Sequence, residues 1–299
     1  MSTSDEIAQG GRMVGRVAFL AALLTVGLIA YGAWVRVSGS GLGCPDWPNC
    51  DGLALADLDR EALIESGHRV YAGITMLTVA LGAVLAIRRR KADPVTAWLM
   101  GGTFAAILVQ AVLGLITVLT DLHGMVRLVH LSMAMAILTL LTVVTVRGLG
   151  LRPKTMPSLT TTTALLVTGA ALVLIGGAIV GGGVSAGCLG FPLCGDGSSA
   201  GATGVHILHR LVGGILIVAV FAAAIRMRDP GRDRRVVSLM HGITFVLILQ
   251  GVVGLLVLEA FNGRFSQHET VRVAHLGLAA VSWWGLSWLW ALALEVRRP

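Results

Sequence analysis

Long apolar stretches alternate with short polar segments along the whole 299-residue chain. Eight of these stretches are long enough to cross about 30 Å of hydrocarbon as an α-helix. They lie at 17–35, 70–87, 95–119, 125–146, 159–180, 205–225, 236–260 and 271–296. Their apolar residues follow one another without a period of two, which disfavours a β-barrel. The pattern predicts an all-α membrane protein with eight transmembrane helices.

The composition supports this class, since 55% of the residues are hydrophobic and only 13% are charged, too apolar a balance for a soluble domain of this length. Basic residues concentrate in alternate polar segments, at 88–91, 147–154, 226–235 and 297–298. By the positive-inside rule, we predict that these segments and both termini are cytoplasmic, in a multi-pass protein of the cell membrane. The net charge of +7 then reflects topology and contact with anionic lipid. No basic stripe interleaved with aromatic residues indicates nucleic-acid binding.

Short motifs in the first half of the chain return in the second half. His68-Arg69 matches His209-Arg210, Gln110 to Gly114 matches Gln250 to Gly254, and the segment around His130 matches the segment around His275. The offsets lie between 140 and 145 residues, which indicates an internal duplication with small loop changes. Because each half has an even number of helices, both halves have the same orientation in the membrane. We predict two tandem four-helix bundles in parallel orientation, at 1–150 and 151–299.

The duplication places four histidines in matched positions near the ends of predicted helices: His68, His130, His209 and His275. A lone histidine there is more often an interfacial or hydrogen-bonded residue than a ligand, but two matched pairs favour metal binding. Zinc sites usually have three or four ligands at short spacings, or thiolates. Two imidazoles from separate helices of a four-helix bundle instead suit the two axial positions of a haem iron.

An arginine lies within three residues of each of these histidines: Arg69, Arg127, Arg210 and Arg272. A guanidinium pairs well with a carboxylate, so these residues are candidates to bind haem propionates. The alternative is that they extend to the membrane interface without a ligand. Gly73, Gly82, Gly213 and Gly214 would allow helices or a porphyrin to approach closely, a weak signal in a chain with 39 glycines.

The two halves differ beside the first histidine of each pair. Glu65 precedes His68 by three residues, and the matching residue in the second half is His206. At that spacing Glu65 and His68 lie on about the same face of a helix. A carboxylate in a poorly solvated site is a candidate acid or base, whereas the alternative is a hydrated charge at a helix N-terminus. The difference suggests chemistry in the first half and electron transfer in the second.

Each half also carries one close cysteine pair, in a Cys-x-x-aromatic-Pro-x-Cys pattern: Cys44 with Cys50, and Cys188 with Cys194. Both pairs lie in segments assigned to the outer side, where disulfides are permitted. One interpretation is a structural disulfide that closes a small loop. Another is an exchangeable dithiol that a partner reduces. Zinc binding by all four thiolates is disfavoured by their spacing.

The stretch from Val35 to Pro48, VRVSGSGLGCPDWP, together with Glu65-Ser-Gly-His68-Arg69 and the two later histidines, resembles the heme A synthase family. The resemblance covers nearly all of the predicted helices. It implies an oxidoreductase that converts the C8 methyl group of heme O to the formyl group of heme A through a hydroxymethyl intermediate. The implied role is in cytochrome oxidase assembly.

The resemblance also implies roles for the candidate residues. His209 and His275 match the ligands of a haem b cofactor, with Arg210 and Arg272 beside them, and His68 and His130, with Arg69 and Arg127, match the site that receives heme O. Glu65 matches an acidic residue considered essential for the oxidation, and Cys44 and Cys50 match a pair implicated in turnover. The expected partners are heme O, heme O synthase, assembly factors, membrane lipid and a quinone or other electron acceptor.

A diheme transmembrane electron carrier that resembles cytochrome b561 is the alternative. Such a carrier would place histidines near both membrane faces, whereas the four here lie toward one face. A transporter built from parallel repeats would explain the duplication but gives no reason for the histidines. The sequence assigns no role to His123, His206 or His268.

Overall fold

A computed structural model describes residues 3–44, 46–47, 50, 57–194, 199–227, 233–263 and 268–296, with the backbone alone for 3–8. Within these residues, eight helices are long and apolar enough to span a membrane. They are α1 (Thr3–Val37), α2 (Arg60–Arg88), α3 (Pro94–Leu119), α4 (Gly124–Leu149), α5 (Leu159–Gly181), α6 (Ala200–Arg226), α7 (Arg234–Phe261) and α8 (His268–Val296). A short 3₁₀ helix, Ser40–Leu42, follows α1. The prediction of an all-α membrane protein with eight transmembrane helices is confirmed.

The two helices that carry the first histidine of each pair, α2 and α6, begin well before the apolar stretches that predicted them. α2 begins ten residues earlier, at residue 60 rather than 70, and Asp59 caps it by accepting a hydrogen bond from the backbone N–H of Ala62 at 2.8 Å. α6 begins five residues earlier, at residue 200 rather than 205, and Ser199 is its cap. A capping side chain accepts a hydrogen bond from a free N–H group of the first turn and so stabilises the start of the helix. The residues of these first turns are too polar to be included in an apolar stretch. Glu65 and His68 therefore lie within α2 rather than in a loop.

Within the first half of the chain, α1 and α3 each pack against both α2 and α4. Within the second half, α6 and α8 each pack against both α5 and α7. Contacts of α1 with α8, α4 with α8 and α4 with α5 join the two halves. The division into two tandem four-helix bundles stays a prediction.

Glycines bring three of the central helices into backbone contact. A Cβ atom added to Gly148 in α4 would lie 2.7 Å from the Cα of Gly15 in α1. One added to Gly124, at the start of α4, would lie 2.3 Å from the carbonyl oxygen of Gly181 in α5. Small residues at such crossings allow close packing in a bilayer, where apolar surface alone does not drive helices together. α4 is therefore packed closely against both α1 in its own half and α5 in the other half.

Hydrogen bonds add to the contact between α4 and α8. The indole N–H of Trp283 donates to the backbone carbonyl of Met135 at 2.8 Å and lies 3.0 Å from the hydroxyl of Thr139. The Thr139 and Ser287 hydroxyls are 2.9 Å apart. Polar groups in the hydrocarbon region are stable when they are satisfied within the protein, as these are.

Both cysteine loops lie at the end of the bundle where α1, α3, α5 and α7 finish, and we call this end the disulfide face. Cys44 is bonded to Cys50 and Cys188 to Cys194. Disulfide formation rules out a zinc site made from the four thiolates in this structure. The described residues do not include several that entered the sequence predictions, namely Pro45, Pro48, residues 228–232, Arg297 and Arg298.

Candidate functional site

A cavity of about 1670 Å³ lies within the bundle and is lined by both halves. All four candidate ligands line it: His68, His130, His209 and His275. Each belongs to the first ten residues of its helix, in α2, α4, α6 and α8 respectively, so all four lie toward the disulfide face. Pockets for a drug-sized ligand occupy about 300 to 1,000 Å³. The cavity is therefore large enough for more than one such ligand.

The two histidines of the second half are spaced as ligands on opposite sides of one metal ion would be. The ring centroids of His209 and His275 are 6.4 Å apart. Opposed imidazole ligands have centroids about 6 Å apart, because each metal–nitrogen bond is about 2 Å and each ring centre lies about 1 Å beyond its nitrogen. The spacing of this second pair fits the two axial positions of one metal ion. His68 and His130 line the same cavity, and their role as a ligand pair stays a prediction.

Each of the four imidazoles packs against a glycine of the preceding helix. The distances from a Cβ atom built on the glycine to the imidazole Cε1 are 3.2 Å for Gly32 and His68, 3.5 Å for Gly114 and His130, 3.5 Å for Gly176 and His209, and 3.2 Å for Gly254 and His275. These glycines follow the same internal repeat as the histidines. None of the four was identified as a site residue from the sequence, although Gly114 and Gly254 lie in a segment that the repeat had already matched.

The glycines named from the sequence divide into two groups. Gly73, Gly213 and Gly214 line the cavity, and a Cβ atom at any of them would meet no heavy atom nearer than 3.9 Å. They leave space for a ligand. Gly82 is different, because its missing side chain is replaced by the tip of Met100, 2.5 Å from the position of a Cβ atom. Gly82 therefore serves helix packing and not the cavity.

Three of the four imidazoles have one buried nitrogen without a hydrogen-bond partner among the described residues. In the described residues, the Nδ1 atoms of His68, His130 and His209 are buried without a hydrogen bond. The exception is His275, whose Nδ1–H donates to the backbone carbonyl of Gln250 at 3.1 Å. Such a bond directs the other nitrogen, Nε2, toward a metal. Buried polar atoms without partners are costly, so their presence here supports a ligand in the cavity.

Glu65 is buried beside the first histidine pair, with 5% of its surface exposed, and it lines the cavity. The alternative of a hydrated charge at the helix start is therefore wrong. One carboxylate oxygen, Oε1, accepts a hydrogen bond from Nε of Arg69 at 3.1 Å, one helical turn later. This contact fixes the carboxylate at the wall of the cavity.

Arg69 also holds the first cysteine loop. Its guanidinium donates to the backbone carbonyl of Cys44 at 2.7 Å and to that of Asp46. Arg210 repeats this contact in the second half, where it donates to the backbone carbonyls of Cys188 at 3.1 Å and Gly190 at 2.8 Å. Both arginines thus tie a disulfide loop to the helix that carries a candidate ligand. Their assignment to haem propionates stays a prediction.

The residue that replaces Glu65 in the second half performs a structural task. The Nε2–H of His206 donates to the backbone carbonyl of Val184 at 2.8 Å, and the side chain is buried. Val184 lies just beyond the end of α5, so His206 ties the second loop to α6 together with Arg210. The second half therefore has no carboxylate at the place where the first half presents Glu65.

Two side chains near the histidines were not identified as site residues from the sequence. Tyr31, one of only two tyrosines in the chain, packs its ring edge-on against His68, with the centroids 5.7 Å apart. Arg36 lines the cavity and is subject to the charges of Arg272 and Arg127. The sequence does not indicate which residues of other helices lie beside a single aromatic or basic residue of an apolar helix.

The remaining histidines of the disulfide face are not part of the cavity wall. His123 is exposed at the N-terminal end of α4. His268 is the first residue of α8, where its ring packs against Phe261 with the centroids 4.7 Å apart. Its Nδ1 lies 3.5 Å from the guanidinium of Arg272. His268 thus contributes to the position of Arg272.

The fold and the site define a multi-pass membrane protein with paired histidines around an internal cavity. The family model of the cytochrome oxidase assembly proteins (COX15-CtaA) matches residues 15–62 and 52–206. The chain is 31% identical over 293 residues to the heme A synthase of Symbiobacterium thermophilum, which covers 90% of this chain and 92% of that protein. It is 27% identical over 270 residues to the heme A synthase of Shouchella clausii, 85% and 88% of the two chains. The chain therefore belongs to the heme A synthase family.

Proposed function

We propose that this protein is an oxidoreductase that converts the C8 methyl group of heme O to the formyl group of heme A. The observation that carries this proposal is the difference between the two halves. One histidine pair lies beside the buried carboxylate of Glu65, and the other has the imidazole of His206 at the matching place. Chemistry on a porphyrin substituent requires a proton acceptor, and Glu65 supplies one in the first half only.

In this proposal residues 1–150 bind the substrate and residues 151–299 bind a haem b cofactor. His68 and His130 hold the iron of heme O, and His209 and His275 are the ligands of haem b. The 6.4 Å spacing of the His209 and His275 rings supports the haem b assignment, and the unpaired Nδ1 atoms of His68, His130 and His209 support both assignments. When bound, haem b supplies a one-electron redox centre that accepts electrons from the substrate reaction and passes them to an acceptor.

The reaction balances as two successive two-electron oxidations. In the first, the methyl group and one water give a hydroxymethyl group, two protons and two electrons. In the second, the hydroxymethyl group gives the aldehyde, again with release of two protons and two electrons. Glu65 takes a proton from the attacking water or from the substituent, and a quinone in the membrane takes the electrons.

The protein's surroundings follow from the same proposal. Heme O carries a farnesyl chain, so it enters laterally from the lipid, supplied by heme O synthase, and the product goes to cytochrome oxidase assembly factors. Both termini are cytoplasmic in the plasma membrane, and the disulfide face is external. The basic residues at the opposite end, such as Arg88, Arg89 and Arg90, support this orientation.

A diheme electron carrier is the competing function. An electron path across a bilayer requires cofactors near both faces, and the four histidines lie within the first ten residues of helices that all begin at the disulfide face. The arrangement therefore favours the synthase.

The test is chromatographic identification of the haems extracted from the purified protein, after expression with and without a supply of heme O. Heme A that appears only with heme O supports the synthase, whereas haem b alone in both preparations would support the electron carrier. His275→Ala should abolish the six-coordinate low-spin spectrum of haem b. The exposed His123→Ala serves as the matched control and should retain it.

A further inference from the structure

Three arginines meet at the boundary between the two halves: Arg36 in α1, Arg127 in α4 and Arg272 in α8. All three are half-buried and line the same cavity. The three helices pack against one another. α1 runs toward the disulfide face, and α4 and α8 run away from it.

One helix contact defines the depth of this cluster. The Cβ atom of Ala30 in α1 lies 3.6 Å from the position of a Cβ atom on Gly277 in α8. Arg36 is six residues after Ala30, and Arg272 is five residues before Gly277. With a rise of about 1.5 Å per residue, both arginines lie roughly 8 Å closer to the disulfide face than that contact. They are therefore at the same level on adjacent antiparallel helices.

The described residues balance the charge of the cluster only in part, through the carboxylate of Glu269, which lies three residues before Arg272 and acts on it. Arg36 is subject to repulsion from Arg272 and Arg127. Among the described residues, no ion pair links any of the three to a carboxylate within 4.0 Å. The Nε of Arg127 is buried without a hydrogen-bond partner. Three half-buried like charges are costly without counter-ions, so the cluster is suited to bind anions.

Arg36 has no counterpart in the internal repeat. The offset of 144 residues that relates Gly32 to Gly176 and Cys44 to Cys188 relates Arg36 to Val180. Arg127 and Arg272 match each other at an offset of 145. Arg127 and Arg272 are thus equivalent residues of the two halves, whereas Arg36 is present in the first half without an equivalent in the second.

We propose that Arg36, Arg127 and Arg272 form one carboxylate-binding site shared by the two halves, and that Arg36 contacts the porphyrin carboxylates of both halves. This inference rests on the proposed function, in which each half holds a porphyrin with two propionates. Arg127 then serves the first half and Arg272 the second, and guanidinium groups bind carboxylates through paired hydrogen bonds.

The shared site couples the two halves electrostatically. A nearby positive charge favours the reduced haem, because reduction adds an electron. When a porphyrin in the first half supplies carboxylates to Arg36, part of that positive charge is neutralised. Haem b in the second half then becomes harder to reduce, and its midpoint potential shifts to a lower value while substrate is present.

The first experiment compares two probes on the purified full-length protein that retains haem b: iron protoporphyrin IX, and its dimethyl ester, which lacks carboxylates. The wild type should bind the diacid more tightly than the diester. Arg36→Gln should weaken diacid binding by about tenfold, the effect of losing one charge-assisted hydrogen bond, and leave diester binding unchanged. Arg60→Gln removes an exposed arginine and is the matched control. Equal diacid affinity in wild type and Arg36→Gln would overturn the proposal.

The second experiment measures the coupling by redox titration of haem b. Zinc protoporphyrin IX, which is redox-inactive over this range, should lower the midpoint potential of haem b in the wild type and shift it less in Arg36→Gln. The same shift in both would show that Arg36 does not link the halves. Arg36→Lys provides a test if the glutamine variant does not fold, because it retains the charge but loses the paired hydrogen bonds. It should show an intermediate loss of diacid affinity, and wild-type affinity would contradict the shared site.

These outcomes are distinct from failure of the proposed function. A wild-type protein that retains no haem b and binds neither probe would contradict the assignment of both porphyrin sites. A protein that binds both probes equally well, with and without Arg36, would contradict only the shared carboxylate site.

Discussion

The guanidinium of Arg69 lies 3.1 Å from the carboxylate of Glu65 and also donates a hydrogen bond to the backbone carbonyl of Cys44 at 2.7 Å. One side chain therefore connects the candidate proton acceptor to the first disulfide loop. Because Arg69 directly follows His68, the same helical turn carries the candidate iron ligand. A change in the loop would be transmitted to both.

Glu65→Gln should preserve the fold and haem b but stop heme A formation. The change removes a proton-accepting carboxylate and nearly preserves its shape, and loss of a general base lowers a rate by about 10² to 10⁴. Heme O or the hydroxymethyl intermediate should accumulate. The measurement is chromatography of haem extracts from cells expressing the variant. Glu61→Gln, an exposed charge one turn earlier, is the control, and near-normal heme A from Glu65→Gln would remove this residue from the mechanism.

Cys44→Ala should reduce heme A yield more than Cys188→Ala at matched expression. The first loop is connected to Glu65 through Arg69, whereas the second loop is connected to His206 and Arg210. Release of the first loop therefore disturbs both the carboxylate and the ligand helix α2, whereas release of the second disturbs the ligand helix α6 alone. Equal yields from the two variants would mean that both disulfides are simple structural links.

The helices were predictable because each crossing of the bilayer requires a long uninterrupted stretch of apolar residues, which can be read directly along the sequence. Continuous apolar runs identified all eight spans, and the repeat identified the histidine pairs. The packing between helices was not predictable in this way. The role of Gly254 depends on its contact with His275 on another helix. The role of Arg36 likewise depends on its position near Arg272, which lies in the other half. The early start of α2 was missed because polar, capped turns have no hydropathy signal.

The contact of Gly254 with His275 gives a test of haem b ligation that leaves the ligand itself unchanged. A Cβ atom at Gly254 would lie 3.2 Å from Cε1 of His275, and the two further methyl groups of valine would displace the ring. Gly254→Val should therefore lose haem b. Gly242→Val is the matched control on α7, because a Cβ atom there meets nothing within 4 Å. Haem content per protein, from the absorbance spectrum, is the measurement, and equal contents would contradict the packing.

An ion-pair network joins the halves at the end opposite the disulfide face. Arg147 in α4 lies 3.0 Å from Asp93, before α3, and 3.6 Å from Glu295 in α8. The Arg147 and Glu295 side chains are each 6% exposed. Removal of one partner from a buried ion pair costs about 3 to 5 kcal/mol, so Arg147→Met should markedly lower the thermal stability in detergent. Arg147→Met with Glu295→Gln should recover part of the loss, and a double variant no more stable than the single one would exclude this pairing.

Asp93 makes the same network sensitive to acid. Burial alone would raise the pKa of the Asp93 carboxyl, but hydrogen bonds from Thr96 and the charge of Arg147 outweigh it and hold the pKa below its ordinary value. A carboxyl whose pKa is lower in the folded protein stabilises the fold above its unfolded pKa, about 3.9, and loses this effect as the pH falls through the folded value.

The wild type should therefore lose melting temperature more steeply than Asp93→Asn as the pH falls from about 5 through the unfolded pKa, about 3.9, and then through the lower folded pKa. Because the Asp93 side chain is 46% exposed, solvent screens the interaction, and the difference should remain within about 1 kcal/mol. Asparagine keeps a side-chain oxygen to cap α3, so the comparison isolates the charge. Thermal melts of both proteins in the same detergent across this range provide the measurement, and parallel curves would mean that Asp93 contributes no pH-dependent stability.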